Sequence, residues 1–301
     1  MIQIFNLTIN EFIFKVTSKV QKIYIKYSFD PRPSSCPYLS GDGYRKTADH
    51  IYDETTKTFQ PQNVKRSDVI YVRYDFLKDF FAKIHPKIQY QYILLSHNND
   101  EWVDERYLSY IDDKIIKWYA QNVTVHHPKL FPLPTGLQNL YNYNYGIINV
   151  YEKLNNRLAN KKNKILFGFS IGKKEYEKER LPALQSLRNN PSAEEIKSKM
   201  VQISYFELLN EYKFVASPPG IGIESHRTYE AMYLRTIPIV KKSLTTDYYY
   251  NLGMPMWIID DWRELENFTE TQLSDKYDSL KDRFNNRTIF MDYWIDKIHQ
   301  K

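Results

Sequence analysis

The sequence predicts an α/β protein of two Rossmann-like halves whose parallel sheets face a central cleft. Three observations predict it. The chain has 301 residues, about twice the length of a typical single domain, which favours two domains or one large α/β unit. Short apolar runs with strand chemistry alternate with helix-like stretches along the whole chain, as they do where crossover helices join parallel strands. The polar stretch NNRLANKKN at 155–163 is the best boundary candidate and divides the chain into units of 1–160 and 161–301, with the last helix free to pack back on the first unit.

In the first unit the strand-like runs are KIYIKYS (22–28), DVIYVRY (68–74) and YILLS (92–96), with helix-like pieces around 75–83 and 104–111. The Pro-punctuated HHPKLFPLPTGL (126–137) reads as an extended crossing strand and turn. The second unit opens with strand KILFGFS (164–170) and continues with helix EKERLPALQSL, helix SYFELLNEY and strand KFVAS (213–217). After a Gly loop come helix HRTYEAMYL, strand IPIV (237–240), a short helix near LTTDYYYNL, strand MWIID (256–260) and C-terminal helices. Ligands of parallel sheets sit at the carboxyl ends of strands, so the loops after 170, 217 and 240 are where chemistry is expected.

Hydrophobic residues make up 42% and charged residues 26%, which excludes a disordered or fibrous chain. The 26 Tyr and 16 Phe beside only 9 Gly fit an AT-rich coding sequence and aromatic platforms for sugars or bases equally well. Net charge is +6, but the basic residues are scattered among 36 acids, which suits a phosphate-bearing small ligand rather than a nucleic-acid footprint. The first 30 residues interrupt their apolar pieces with Asn10, Glu11, Lys15 and Lys19 and offer no small-residue cleavage site, so neither a signal peptide nor a membrane span is expected. One cysteine, Cys36, excludes an intramolecular disulfide and a Cys-based zinc cage, and a reducing, cytoplasmic setting is expected.

KFVASPPGIGIESHRTYEAMYL reads as a buried strand, a Pro-Gly loop and a helix starting near Ser225. That is the make-up of an anion site: Gly220 and Gly222 let backbone N–H groups approach a phosphate, the helix dipole favours negative charge, and Ser225 can cap the first turn. Arg227 adds a fork of donors suited to a diphosphate. Glu230, three residues on, shares its helix face, where a carboxylate can accept both hydroxyls of a ribose. The bland alternative is that Arg227 and Glu230 pair with each other on a solvated face.

The run from Phe214 to Val240 resembles the donor-site signature of exostosin-like glycosyltransferases and related bacterial and viral sugar transferases, which are GT-B enzymes using nucleotide sugars. The resemblance extends more weakly to LSGDGYR (39–45), LLSHNND (94–100), WYAQN (118–122) and PLPTGLQN (132–139). It implies that Arg227 clamps the diphosphate, that Glu230 holds the ribose, and that Ser217, Gly220, Gly222 and Ser225 line the phosphate loop. Arg180 resembles the family's second basic contact to the donor, and Ser170 and His226 complete the donor-side set. Leu234-Arg235-Thr236 replaces the usual small pair before IPIV, which leaves the sugar open. The implied reaction moves a sugar from a nucleotide diphosphate sugar, UDP favoured, to a glycan or other hydroxyl acceptor.

An inverting transferase needs one general base, supplied by the first half, while basic residues stabilise the leaving diphosphate. Asp42 is the first candidate, because a carboxylate between two glycines in a loop is expected to be exposed. Its alternative is a turn Asp bonding its own backbone. His97 is the second candidate and Asp100 the third, and Arg45, Asn98 and Asp100 are the acceptor-side candidates. His126 and His127 precede Pro128 and point in different directions, so they make poor metal partners for each other. No Asp-x-Asp motif occurs, so no metal ligand, essential metal or other cofactor is expected. Gly220-x-Gly222 with Lys241 and Lys242 also fits an NADP-dependent oxidoreductase, although the third Gly position is Ser225. A non-catalytic nucleotide- or glycan-binding protein would use the same residues. The sequence leaves the oligomeric state open.

Overall fold

The computed structural model describes residues 16, 19, 20, 23 and 30, and residues 32–300 apart from 57, 143–147, 156–159, 172–173 and 199. Of the strand expected at 22–28 only Ile23 is described, and it is helical. Two separate five-stranded sheets form, and every pairing within them is parallel.

The first sheet runs in the order β1-β2-β3-β4-β5: β1 His50–Tyr52, β2 Val69–Arg73, β3 Tyr92–His97, β4 Ile115–Ala120 and β5 Leu130–Pro132. Helix α1, Gly41–Lys46, precedes it. Every residue of β3 is buried, which is why this strand reads as an unbroken apolar run and not as an alternating one. The helix expected at 75–83 is instead a succession of short 3-10, α and π turns from Tyr74 to Lys87, and 104–111 holds a 3-10 helix, Glu105–Tyr110.

After α2, Asn149–Asn155, the second sheet takes the order β10-β9-β8-β6-β7. Its strands are β6 Lys162–Phe167, β7 Ala193–Glu195, β8 Tyr212–Ala216, β9 Ile237–Lys241 and β10 Trp257–Ile259. The helices are α3 Lys174–Asn189, α4 Gln202–Asn210, α5 His226–Tyr233, α6 Leu244–Asn251, α7 Glu270–Asp278 and α8 Met291–His299. Strand β6 lies between β7 and β8, so the chain winds out in both directions from it, as in a doubly wound sheet.

The last helix returns to the first half. Met291, Trp294 and Ile298 are buried at helical spacing, so they form one stripe. That stripe belongs to the same apolar cluster as Leu95 and Tyr119 of the first sheet and Tyr229 and Tyr233 of α5. Met291 N donates to Pro37 O at 2.9 Å and Tyr119 hydroxyl to Lys297 O at 3.0 Å. One shared core thus sets the spacing between the two sheets.

Candidate functional site

The strands of a parallel sheet end on one edge, and the loops leaving that edge carry the ligand contacts of open α/β folds. Those loops start after His97, Ala120 and Pro132 in the first half and after Phe167, Ala216 and Lys241 in the second. The two sets meet. Ile223 N donates to Asn122 Oδ1 at 3.0 Å, Trp102 Nε1 to Ile221 O at 3.1 Å, and His226 Nδ1 to Gly136 O at 2.8 Å. The carboxyl edges of both sheets therefore face one cleft.

The Pro-Gly loop is closed by its own bonds. Gly220 N donates to Gly222 O at 3.1 Å, and a Cβ on Gly222 would stand 2.9 Å from the Asn122 side chain. These glycines serve a turn and a close approach to the first half, not the open row of N–H groups expected from sequence. Ser225 occupies the N-cap of α5, but its side chain makes no capping bond; it lies 2.9 Å from Ser217 Oγ instead. That corrects its expected cap, because a hydroxyl turned to Ser217 is turned away from the first-turn N–H groups.

Arg227 reaches across the strand ends, donating to Gly168 O at 2.7 Å, Tyr205 hydroxyl at 3.2 Å and Ala216 O at 3.4 Å. Arg180 similarly ties the loops after β6 and β8 through Ser170 O and Pro219 O, each at 2.9 Å. The Glu230 carboxyl is buried and makes no hydrogen bond with a described residue, and burial pushes it up to about 7 although Arg227 pulls the other way. The alternative in which Arg227 and Glu230 pair on a solvated face is therefore not what forms: Arg227 is half-buried at the β6 and β8 ends and Glu230 is buried.

Asp42 is the clearest correction. It sits inside α1, not in an exposed loop, with no accessible surface. Arg32, 4% exposed, donates to it through Nε at 2.9 Å and through Nη2 at 2.7 Å. Burial pushes the Asp42 carboxyl up and Arg32 pulls it back. Its oxygens are committed to a guanidinium, and no hydroxyl of a ligand can reach them. Asn139 Oδ1 accepts from Asp42 N at 2.8 Å, and Asn139 Nδ2 donates to Asn98 Oδ1 at 2.8 Å, so this buried pair holds the wall of the cleft.

His97 is also fully engaged. A carbonyl only accepts, so the 3.0 Å contact with Pro134 O places the proton on Nε2, and Nδ1 accepts from Asn98 N at 2.7 Å. Burial lowers the ring to about 4, so it is neutral, with no lone pair left for a substrate proton. His226 differs: Nδ1 donates to Gly136 O, and Nε2 has no partner among the described residues.

A polar cavity of about 190 Å³ takes His97, Asn98, Asp100, Thr135 and Asn139 from the first half and His226 from the second. It has room for one sugar ring. Arg45 is not part of it, being paired with Asp53 at 2.6 Å and Thr55 at 2.7 Å beside β1, which removes it from the acceptor side as the sequence expected it. A second cavity of about 520 Å³ lies along the Gly loop, with Trp102, Lys178, Lys241 and Lys242 on its walls.

Sequence reading missed Arg32, Thr135, Asn139 and Glu224. Glu224 is pushed up to about 7 by burial and accepts from Tyr229, from Tyr249 at 3.3 Å and from Thr135 Oγ1 at 3.3 Å, which ties α5 and α6 to the first half. PLPTGLQN carried a signal for Thr135 and Asn139 and the 214–240 run one for Glu224, while Arg32 lies in no motif. Among the described residues no cluster of three or more His, Cys, Asp or Glu is placed to hold a metal, and no helix is long and apolar enough to cross a membrane.

No family model matches the chain, and no curated protein matches it. Solved structures similar to it include the α,α-trehalose-phosphate synthase (UDP-forming) from Burkholderia vietnamiensis, with a TM-score of 0.45 and 8% identity over 80% of this chain and 75% of that one. The Burkholderia multivorans α,α-trehalose 6-phosphate synthase gives 0.44 and 7%, over 79% and 71%. The Burkholderia xenovorans enzyme in complex with glucose-6-phosphate gives 0.40 and 8%, over 98% and 80%. At these scores the likeness decides nothing about chemistry.

Proposed function

We propose that the protein is a glycosyltransferase that moves a sugar from a nucleotide diphosphate sugar, UDP favoured, to a hydroxyl acceptor. The observation that carries the reading is the junction at the carboxyl edges of both sheets, where one sugar-sized polar cavity draws residues from each half. The second half supplies what a nucleotide diphosphate requires: the N-terminus of α5, two half-buried guanidinium groups and a buried carboxylate. Arg227 would exchange its bonds to Gly168 O and Tyr205 for donor oxygens, and Glu230 would exchange a solvent-poor site for two ribose hydroxyls. The resemblance of residues 214–240 to the exostosin-like donor site supports the same assignment. Asn98 and Asp100 stand on the acceptor side of the cavity.

The diphosphate is neutralised in this reading by Arg227, Arg180 and the helix dipole and not by a metal. A thermal-shift panel of UDP, GDP, CDP, TDP and NADP, run in EDTA, tests the proposal. A ligand that binds only the native state raises stability by RT ln(1 + [L]/Kd). UDP is expected to give the largest rise, and Arg227→Ala to weaken it by about 1.5 to 3 kcal/mol, the scale of a charge-assisted hydrogen bond. A rise with NADP alone would move the assignment to the cavity walled by Lys241 and Lys242. A rise that needs added magnesium or manganese would contradict the metal-free part.

A further inference from the structure

We infer that His226 Nε2 accepts the proton of the attacking hydroxyl, an inference that rests on the transferase reading. Two imidazoles, His97 and His226, line this cavity together with the Asp100 carboxylate, which is kept on the acceptor side, and Asp42 stands behind its wall; bonding separates Asp42 and the two imidazoles. Asp42 gives its oxygens to Arg32. His97 donates from Nε2 to Pro134 O and accepts at Nδ1 from Asn98 N, so both ring nitrogens are used. His226 donates from Nδ1 to Gly136 O at 2.8 Å, which fixes the tautomer and leaves the Nε2 lone pair unclaimed by any described residue.

Position adds to this. His226 is the first residue of α5, one residue before Arg227, and its ring reaches the first half at Gly136 O while Arg227 reaches the β6 end at Gly168 O. Burial lowers the His226 ring below its ordinary value while Asp100 raises it; a neutral imidazole with a second group favouring its protonated form is suited to general base work. The ionisable groups of the other elements around it are Asp100 and His97, which line the same cavity, and Glu224 two residues upstream. The Gly136 carbonyl comes from a loop of the other half, so the acceptor is correctly aimed only when the two halves are docked.

The step balances simply. The acceptor O–H bond breaks with its proton passing to Nε2, the acceptor oxygen bonds the anomeric carbon, and the carbon–oxygen bond to the diphosphate breaks with its electron pair leaving on UDP. His226 then returns the proton to solvent.

His226→Asn is the decisive variant. An Asn amide occupies the place of Nδ1 and keeps a donor for Gly136 O, while the Nε2 acceptor is gone. With UDP-glucose, UDP-galactose, UDP-N-acetylglucosamine and UDP-xylose as donors and water or free monosaccharides as acceptors, UDP release is expected to fall roughly 10²- to 10⁴-fold, with the UDP thermal shift kept, since this role takes His226 out of the donor-side set that the resemblance implied. Release within fivefold of wild type overturns the inference and leaves the transferase reading standing. Wild-type protein that neither binds UDP nor releases it from any of these donors overturns both. Should the variant not fold, ethoxycarbonylation of the native protein, mapped by mass spectrometry, reads the same lone pair: labelling of His226 but not His97 is expected, and labelling of His97 first overturns the inference.

Discussion

Arg32→Met is expected to lower stability by about 3 to 5 kcal/mol, the cost of leaving a buried carboxylate without its partner. Asp42 has no accessible surface and Arg32 is only 4% exposed, so solvent cannot stand in for either. The loss should reach the cleft, because Asp42 also holds Asn139 through its backbone N–H and Asn139 holds Asn98. Equilibrium urea unfolding gives the number. The double variant Arg32→Met with Asp42→Leu should recover a large part of it, since an apolar pair of similar volume carries no unpaired charge. A single variant within about 1 kcal/mol of wild type, the scale of an exposed pair, would show that Asp42 is open to solvent and return it to the list of proton acceptors.

Gly136→Ala is the second large effect. Gly136 has φ +69°, and a Cβ there would stand 2.3 Å from the Leu39 carbonyl oxygen. Leu39 O already accepts from Leu137 N at 2.7 Å, so this is backbone against backbone with no rotamer to relieve it. The left-handed conformation and the overlap together are expected to cost on the order of 2 to 6 kcal/mol. The same peptide carries the carbonyl that orients His226, so whatever fraction folds should also lose turnover more than it loses UDP binding. A folded Ala variant with wild-type stability and turnover would mean that the 135–137 turn sits elsewhere.

Most of the strands that sequence reveals lie inside their sheets, and the edge strand β10, read as MWIID, shows because Trp257 and Ile259 are buried. β2, β3, β6, β8 and β9 lie inside their sheets and need apolar side chains on both faces, which prints a continuous run. β7 is an edge strand reading Ala193-Glu194-Glu195, and its charges suit an edge while hiding it from any hydrophobic pattern. β1 has only three residues, and β4 interrupts its run with Lys117, whose ammonium reaches Gln300 O at 3.1 Å.

The site is legible to a different degree. The strand, Gly loop and helix at 213–234 form as read, because local chemistry dictates them. What sequence spacing cannot show is how each polar group spends its bonds. Arg180 and Arg227 point at backbone carbonyls of neighbouring strand ends, and Asp42 is buried by Arg32, a residue in a Pro-Ser stretch with no motif of its own. The difference between His97 and His226 is decided by two carbonyls, Pro134 and Gly136, on a loop that is 37 residues from one ring and 90 from the other.

Amide hydrogen exchange with and without UDP tests most directly whether the meeting of the two carboxyl edges is the donor site. Protection is predicted in 165–171 and 214–230, with a smaller gain in 133–139 as the halves are drawn together. Exchange that is unchanged by saturating UDP, or protection confined to the first sheet at 50–132, would contradict it.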